Sequence, residues 1–163
     1  MTPAPDVLQG RIVVRRARPA DVLQITALVD EWAAEELLLP RSASEIAVAI
    51  DDYVVAVDLR GRVLACGALR EYSPSLAELV SLAVARSAHG RGLGRLVVAQ
   101  IERLALQRGY ASLFAHTLNT EFFSAVGYVS VDRERYPEKA ARAHTTCVVR
   151  ALVGERERLS IAA

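Results

Sequence analysis

Residues 77–108 read AELVSLAVARSAHGRGLGRLVVAQIERLALQR, and three local patterns follow one another within them. Ala77–Val84 is a short run rich in Leu, Val and Ala and reads as a strand. The glycine-rich HGRGLG follows, and from about Gly92 to Arg108 the apolar residues recur at helical spacing. A strand that stops at a glycine turn opening a helix leaves several backbone N–H groups unpaired at the positive end of the helix dipole. Such a turn holds phosphate. Gly90, Gly92 and Gly94 let the backbone approach an anion without side-chain obstruction, and Arg91 and Arg95 add charge. The same glycines can also serve a tight turn and close packing alone. The spacing is neither that of a dinucleotide fingerprint, which needs more residues between its last glycines, nor that of an ATPase phosphate loop, which needs Gly-Lys-Ser or Gly-Lys-Thr.

Working outward, Arg11–Arg16 reads as a strand, and Pro19-Ala20-Asp21 opens a helix carried by Val22, Ile25, Leu28, Val29 and Trp32 and ending near Glu36. Pro40 blocks its continuation. Ser42, with Glu45 three residues on, forms a capping box for a short helix reaching about Ile50. Tyr53–Leu59 and Val63–Leu69, joined by Arg60-Gly61-Arg62, read as an antiparallel hairpin. After the long helix, Gly109 closes it and Ser112–Ala115 is a strand. Asn119 caps a helix to Val126, Tyr128–Val131 is another strand, and Thr145–Leu152 is the last. These elements predict one α/β (α+β) domain over residues 11–153. Its sheet would be mixed, mostly antiparallel and six- to seven-stranded, with helices on both faces. Residues 1–10 would be loose and residues 154–163 a frayed tail.

The 163 residues are 52% hydrophobic and 24% charged, which suits one domain with a substantial core. Twenty Lys and Arg against 19 Asp and Glu leave a formal net charge of +1, so no long-range field recruits nucleic acid or an acidic membrane surface. Any cationic site is local. Aromatics at 6%, without a basic stripe, further disfavour nucleic-acid binding. Cys66 and Cys147 lie far apart in apolar stretches and read as buried free thiols of a reducing compartment, and no metal is predicted. No apolar run approaches the roughly 18 residues needed to cross a bilayer, and the expected localisation is cytoplasmic.

The segment LVSLAVARSAHGRGLGRLVVAQIERLALQRGYASLFAHTLNTEFFSAVGY, residues 79–128, resembles the core of the GNAT family of N-acetyltransferases in content, spacing and element order. The resemblance implies a GNAT fold and acetyl-CoA (coenzyme A) as co-substrate. It places pyrophosphate contacts on Arg91, Gly92, Leu93, Gly94 and Arg95, pantetheine or acetyl contacts on Leu82, Ala83 and Val84, and His89 and Gly90 among the cofactor-binding positions of the loop. Asn119 and Phe123 fall on the later helix that flanks the cofactor. His89 stands where the family commonly has Gln or Arg. Three further pieces, LLLPRS, DDYVVAVDLRGRVLACGALR and TLNTEFFSAVGY, are similar to bacterial N-acetylglutamate synthases. That likeness implies transfer to the α-amino group of L-glutamate in arginine biosynthesis. It covers their acetyltransferase part alone, without the amino-acid-kinase domain of longer synthases. The family also implies a homodimer.

Direct transfer needs a neutral amine against the thioester, hence a group to remove a proton from an ammonium. The resemblance places that base on Glu78, often acting through water; a solvated strand-edge carboxylate is the alternative. A backbone N–H near Leu82 or Ala83 would stabilise the thioester oxygen as it gains charge. Many relatives carry Tyr where this chain has Phe123, which has no proton to give. Asn119 or Thr120 would act through water, or the thiolate, with a pKa of roughly 8.5 by analogy with cysteine, would leave unaided. Tyr128 reads as core.

A dicarboxylate acceptor needs cations, and Arg41 suits one carboxylate because guanidinium binds it through two parallel hydrogen bonds. Arg70 and Arg142 are further candidates. At positions where the synthases usually carry Arg and Lys, this chain has His144 and Cys147. His116 and His144 read as polar wall residues rather than metal ligands. Two other readings stay open: a GNAT enzyme for another small amine or a protein N-terminus, and a coenzyme-A-binding sensor that has lost turnover.

Overall fold

Pro19 fixes its own φ for a single tight turn, and the Asp21 carboxylate then accepts the Arg18 backbone N–H at 2.8 Å, so the first helix starts where the sequence signals it. In the computed structural model, which describes residues 7–9, 11–132 and 145–153, this is α1 (Val22–Ala33). Before it lie β1 (Val7–Gln9) and β2 (Ile12–Arg16). After it come α2 (Ala43–Val48), β3 (Tyr53–Asp58), β4 (Val63–Ser73), β5 (Leu76–Val84) and α3 (Leu93–Gln107). The chain continues through β6 (Ser112–Thr117), α4 (Thr120–Ala125), β7 (Val129–Val131) and β8 (Thr146–Ala151).

The strands hydrogen-bond in the order β1-β2-β3-β4-β5-β6-β8-β7, eight where six or seven were expected. The additional one is β1, which pairs antiparallel with β2 from Val7↔Val14 to Gln9↔Ile12, inside the segment expected to be loose. Strand pairs β2–β3, β3–β4, β6–β8 and β7–β8 are antiparallel, whereas β5–β6 is parallel. The sheet is therefore mixed and mostly antiparallel. The expected tail from residue 154 onward lies outside the described residues.

Two compact units divide the chain. One runs to Leu69 and includes Ser81–Leu104, and the other comprises Arg70–Val80 and the chain from Ala105. In the first, α1 buries Ile25, Leu28 and Val29, and Gln24 ties the helix to the β3–β4 hairpin by donating to the Gly61 carbonyl and accepting from Val63 N–H. Of the capping box expected at α2, the serine half forms, with the Ser42 hydroxyl accepting Glu45 N–H at 3.1 Å. The Arg15 guanidinium forms two bonds to the Asp21 carboxylate, at 2.7 and 3.1 Å, and both residues are buried. Gly67 on β4 allows α3 to pack closely: a Cβ there would stand 2.7 Å from Ile101 Cδ1 and 3.1 Å from Val97 Cγ1. In the second unit, Phe114 and Cys147 are fully buried, with Tyr72, Leu76, Val131 and Val149 packed around them. Tyr110 closes that unit's edge by donating its hydroxyl to Glu71 at 3.0 Å.

Candidate active site

Within the first unit, β5 ends at Val84, one 3-10 turn follows at Arg86–Ala88, and α3 begins at Leu93. Gly90 and Gly92 sit at φ +78° and +74°, in the left-handed region that other residues avoid. The Gly92 carbonyl accepts the first helical bond, from Leu96 N–H at 3.2 Å. The N–H groups of Leu93, Gly94 and Arg95 thus form the first turn, which has no partner within the helix. Arg91 and Arg95 are exposed, while Leu93 and Gly94 are buried. An anion fits such a cradle of backbone donors flanked by two guanidinium groups. The charged side chains flank the loop and its main chain forms it.

His89 begins the loop, and its ring is turned back towards β5 and α1. Its Nε2 lies 3.1 Å from the Val84 carbonyl, and because that oxygen only accepts, Nε2 carries the proton. The ring stacks on Trp32, centroids 5.5 Å apart and planes 4° from parallel. Trp32 donates its own indole N–H to the same carbonyl at 3.1 Å, and the Arg86 guanidinium lies 4.3 Å from the indole ring centre. Arg86 in turn pairs with Glu31 at 3.1 Å and with Glu35. The end of β5 and the start of the loop are thereby fastened to the last turn of α1. Trp32 reads from the sequence only as an apolar helix position, and its second role depends on contacts far along the chain.

Leu82, Ala83 and Val84 occupy the end of β5, with Ala83 buried and its neighbours half-buried. Just before them, Ser81 is left-handed, with φ +56°, in the middle of a strand. The buried Cys66 thiol on β4 donates to the Ser81 carbonyl at 3.4 Å, and Ala83 N–H hydrogen-bonds the same sulfur. The Ser81 side chain hydrogen-bonds the hydroxyl of Tyr53, the first residue of β3. Burial pushes the Cys66 thiol up to about 12, against the weaker effect of the Ala83 bond. Burial likewise raises the Tyr53 hydroxyl above the phenol range, partly offset by Ser81. Both groups stay neutral around pH 7. Cys66 was expected as a buried free thiol, which it is, but its bonds to β5 and the part of Tyr53 are not foreseeable from the sequence.

Arg41 belongs to the same neighbourhood. It sits on the segment leading into α2 with its side chain only 24% exposed, and its charge acts on the Tyr53 hydroxyl. Among the described residues its nearest carboxylate oxygen, on Glu45, is 4.0 Å away, so the guanidinium retains hydrogen-bonding capacity for another anion.

The second unit carries the remaining candidates. Glu78 pairs with Phe114 where the β5–β6 ladder ends, and it is 7% exposed, which rules out a solvated strand-edge carboxylate. Asn119 caps α4, its side-chain oxygen accepting Phe122 N–H at 3.1 Å, so the acceptor end of the amide is in use and the NH2 end is the donor. Phe123 is buried, edge-on to Tyr128 with centroids 5.2 Å apart, and Tyr128 is core as expected. His116 stands on β6 edge-on to Phe114. Arg70 is exposed at the end of the unit's β4 segment. Arg142 and His144 lie outside the described residues. No cluster of three or more His, Cys, Asp or Glu suited to a metal occurs among the described residues, and no described helix is long and apolar enough to cross a membrane.

Comparison with known proteins adds what geometry alone does not supply. Residues 23–148 match the model of the acetyltransferase (GNAT) family. An uncharacterised N-acetyltransferase of Chlorobaculum tepidum is 38% identical over 134 residues, covering 82% of this chain and 86% of that protein. An amino-acid acetyltransferase of Mycobacterium tuberculosis is 35% identical over 124 residues, 75% of this chain and 71% of that protein. Among solved structures, a Mycobacterium tuberculosis protein in complex with CoA superposes with a TM-score of 0.78 at 26% identity, over 86% of this chain and 99% of that one. The glycine loop, β5 and the helices around them are thus those of an enzyme that moves acetyl from acetyl-CoA to an amine, and the chain belongs to the acetyltransferase (GNAT) family.

Proposed function

We propose that the acceptor is the α-amino group of L-glutamate, acetylated by direct transfer, as in the first step of arginine biosynthesis. The observation that carries this reading is Arg41. A guanidinium three-quarters withdrawn from solvent, whose charge acts on a neutral phenol and whose nearest carboxylate among the described residues is at 4.0 Å, suits a carboxylate ligand better than an uncharged amine. The amino-acid acetyltransferase of Mycobacterium tuberculosis, at 35% identity, supports an amino acid as the class of acceptor.

In this reading the pyrophosphate of acetyl-CoA rests on the N–H groups from Gly92 to Arg95, with Arg91 and Arg95 screening its charge. Leu82–Val84 aligns the thioester. Arg41 binds one carboxylate of the acceptor, with Arg70 and Arg142 as candidates for the other. Glu78, through water, takes the proton that the ammonium must lose before its nitrogen can attack. The nitrogen adds to the thioester carbon, the carbonyl oxygen gains charge against a backbone N–H of β5, and the C–S bond breaks. Coenzyme A leaves as thiolate and takes up the second proton, which the acylated nitrogen must lose to become an amide, through a water that the Asn119 NH2 is available to orient.

Release of free thiol from acetyl-CoA with L-glutamate, L-glutamine, L-aspartate, spermidine and no acceptor tests the proposal directly. Turnover selective for L-glutamate is expected. Arg41→Ala should raise KM for glutamate by about tenfold or more, the loss of a charge-assisted pair. Glu78→Gln should lower kcat by roughly a hundredfold, the scale of general-base catalysis. Equal turnover of unrelated amines, or no turnover, would overturn the glutamate assignment.

A further inference from the structure

Ser81 is one of two non-glycine residues at positive φ among those described, and it interrupts the strand that leads to the cofactor loop. A left-handed L-residue costs roughly 1–2 kcal/mol and persists only where its surroundings hold it. Here two neighbouring strands do so. From β4, the Cys66 sulfur bridges the residue's two flanks, donating to the Ser81 carbonyl at 3.4 Å and accepting Ala83 N–H. From β3, the Tyr53 hydroxyl bonds the Ser81 side chain. Tyr53 is 4% exposed and Cys66 fully buried, so neither contact is shared with bulk water.

We propose that the Cys66 thiol and the Tyr53 hydroxyl form a two-point clamp that fixes the backbone of Ser81–Ala83 for catalysis, making both positioning residues for acetyl transfer. The clamp rests on the reading that this backbone meets the thioester. Cys66 acts here as a neutral hydrogen-bonding bridge, not as a nucleophile, which accords with burial raising its thiol to about 12.

The test uses Cys66→Ala, Cys66→Ser, Tyr53→Phe and the Cys66→Ala/Tyr53→Phe pair, assayed with whichever amine the wild type acetylates best. A donor misplaced by a fraction of an ångström should lower kcat about tenfold or more in Cys66→Ala and Tyr53→Phe, while Kd for acetyl-CoA moves less than about threefold. Cys66→Ser, which keeps a donor and an acceptor in place, should recover part of the loss. The double variant should fall short of the product of the two single effects, because both groups hold one piece of backbone. Independently of any acceptor, amide hydrogen exchange at Ala83 should accelerate in Cys66→Ala and not in Tyr53→Phe. Unchanged kcat with only a lower melting temperature would reduce both residues to packing and overturn the proposal. Unchanged Ala83 exchange would overturn the sulfur bridge even if no amine were acetylated, whereas accelerated exchange without transfer would keep the clamp and sink the glutamate reading.

Discussion

The cofactor loop and the middle of β5 reach the same unusual backbone by opposite routes. Gly90 and Gly92 enter the left-handed region at φ +78° and +74° because they lack a Cβ, and a Cβ built on either would meet nothing within 4 Å. Ser81 enters it at φ +56° with a side chain, against the preference of its own residue type, because Tyr53 and Cys66 hold it there. The first solution is local, resting on the residue type alone. The second is tertiary, and it is as rigid as the core that imposes it.

Changing the residue type at both places separates the routes most sharply. Ser81→Val puts a β-branched side chain where even serine is strained, and the expected destabilisation is about 3 kcal/mol, with activity lost. It would be read from the urea midpoint. Gly92→Ala should cost about 1–2 kcal/mol for the same φ, since open space spares it any clash. If acetyl-CoA has to close the loop against that strain, its Kd should rise roughly tenfold. Should Ser81→Val cost no more than Gly92→Ala, the idea that β5 is held by its neighbours would not survive.

A third glycine sharpens the contrast from another side. Gly67 lies outside the positive-φ set, and what excludes a side chain is Ile101 Cδ1 at 2.7 Å. That atom is the far end of a flexible chain, yet Ile101 is fully buried and has little room to give. Gly67→Ala should therefore cost about 1 kcal/mol as overpacking, and Gly67→Ala with Ile101→Val should cost less than the sum of the two changes. An additive double variant would mean that β4 moves instead of the side chain.

The same distinction explains what the sequence discloses. The strand, glycine loop and long helix are written in local periodicity and in glycines whose conformational reason is their own, so HGRGLG is readable as an anion cradle. The caps at Ser42 and Asn119 are equally local, each side chain accepting an N–H three residues on. Ser81 carries no such mark, because its conformation depends on partners 28 and 15 positions earlier, and neither a tyrosine opening a strand nor a cysteine in an apolar run announces a bond to it. The role of His89 is hidden for the same reason, since its ring is directed by Trp32 and Val84 rather than by the loop it begins. β1 fails to stand out because three residues are too few for a period to show.

The smallest effect expected concerns charge, and it distinguishes two side-chain-held turns. The turn before α1 is held by Asp21, which takes bonds from Arg15 and from Arg18 N–H. Burial alone would raise its carboxyl, but these donors and the neighbouring charges prevail and keep it below its ordinary value of 3.8. A lowered carboxyl stabilises the fold above the unfolded value and loses that contribution as pH falls through the folded one. For Cys66 the sign is reversed. A thiol raised from 9.0 to about 12 contributes fully below 9.0 and loses that contribution as pH climbs towards 12, because the unfolded chain releases the proton first. Between pH 5 and pH 8 neither group should move the melting temperature. Below about pH 4 the wild type should lose stability more steeply than Asp21→Asn, and above about pH 9 more steeply than Cys66→Ala, both compared as slopes of unfolding free energy against pH. A slope for Cys66→Ala equal to that of the wild type on the alkaline side would mean that the thiol is not held neutral by burial, and the β5 clamp would then be open to titration like the turn at Asp21.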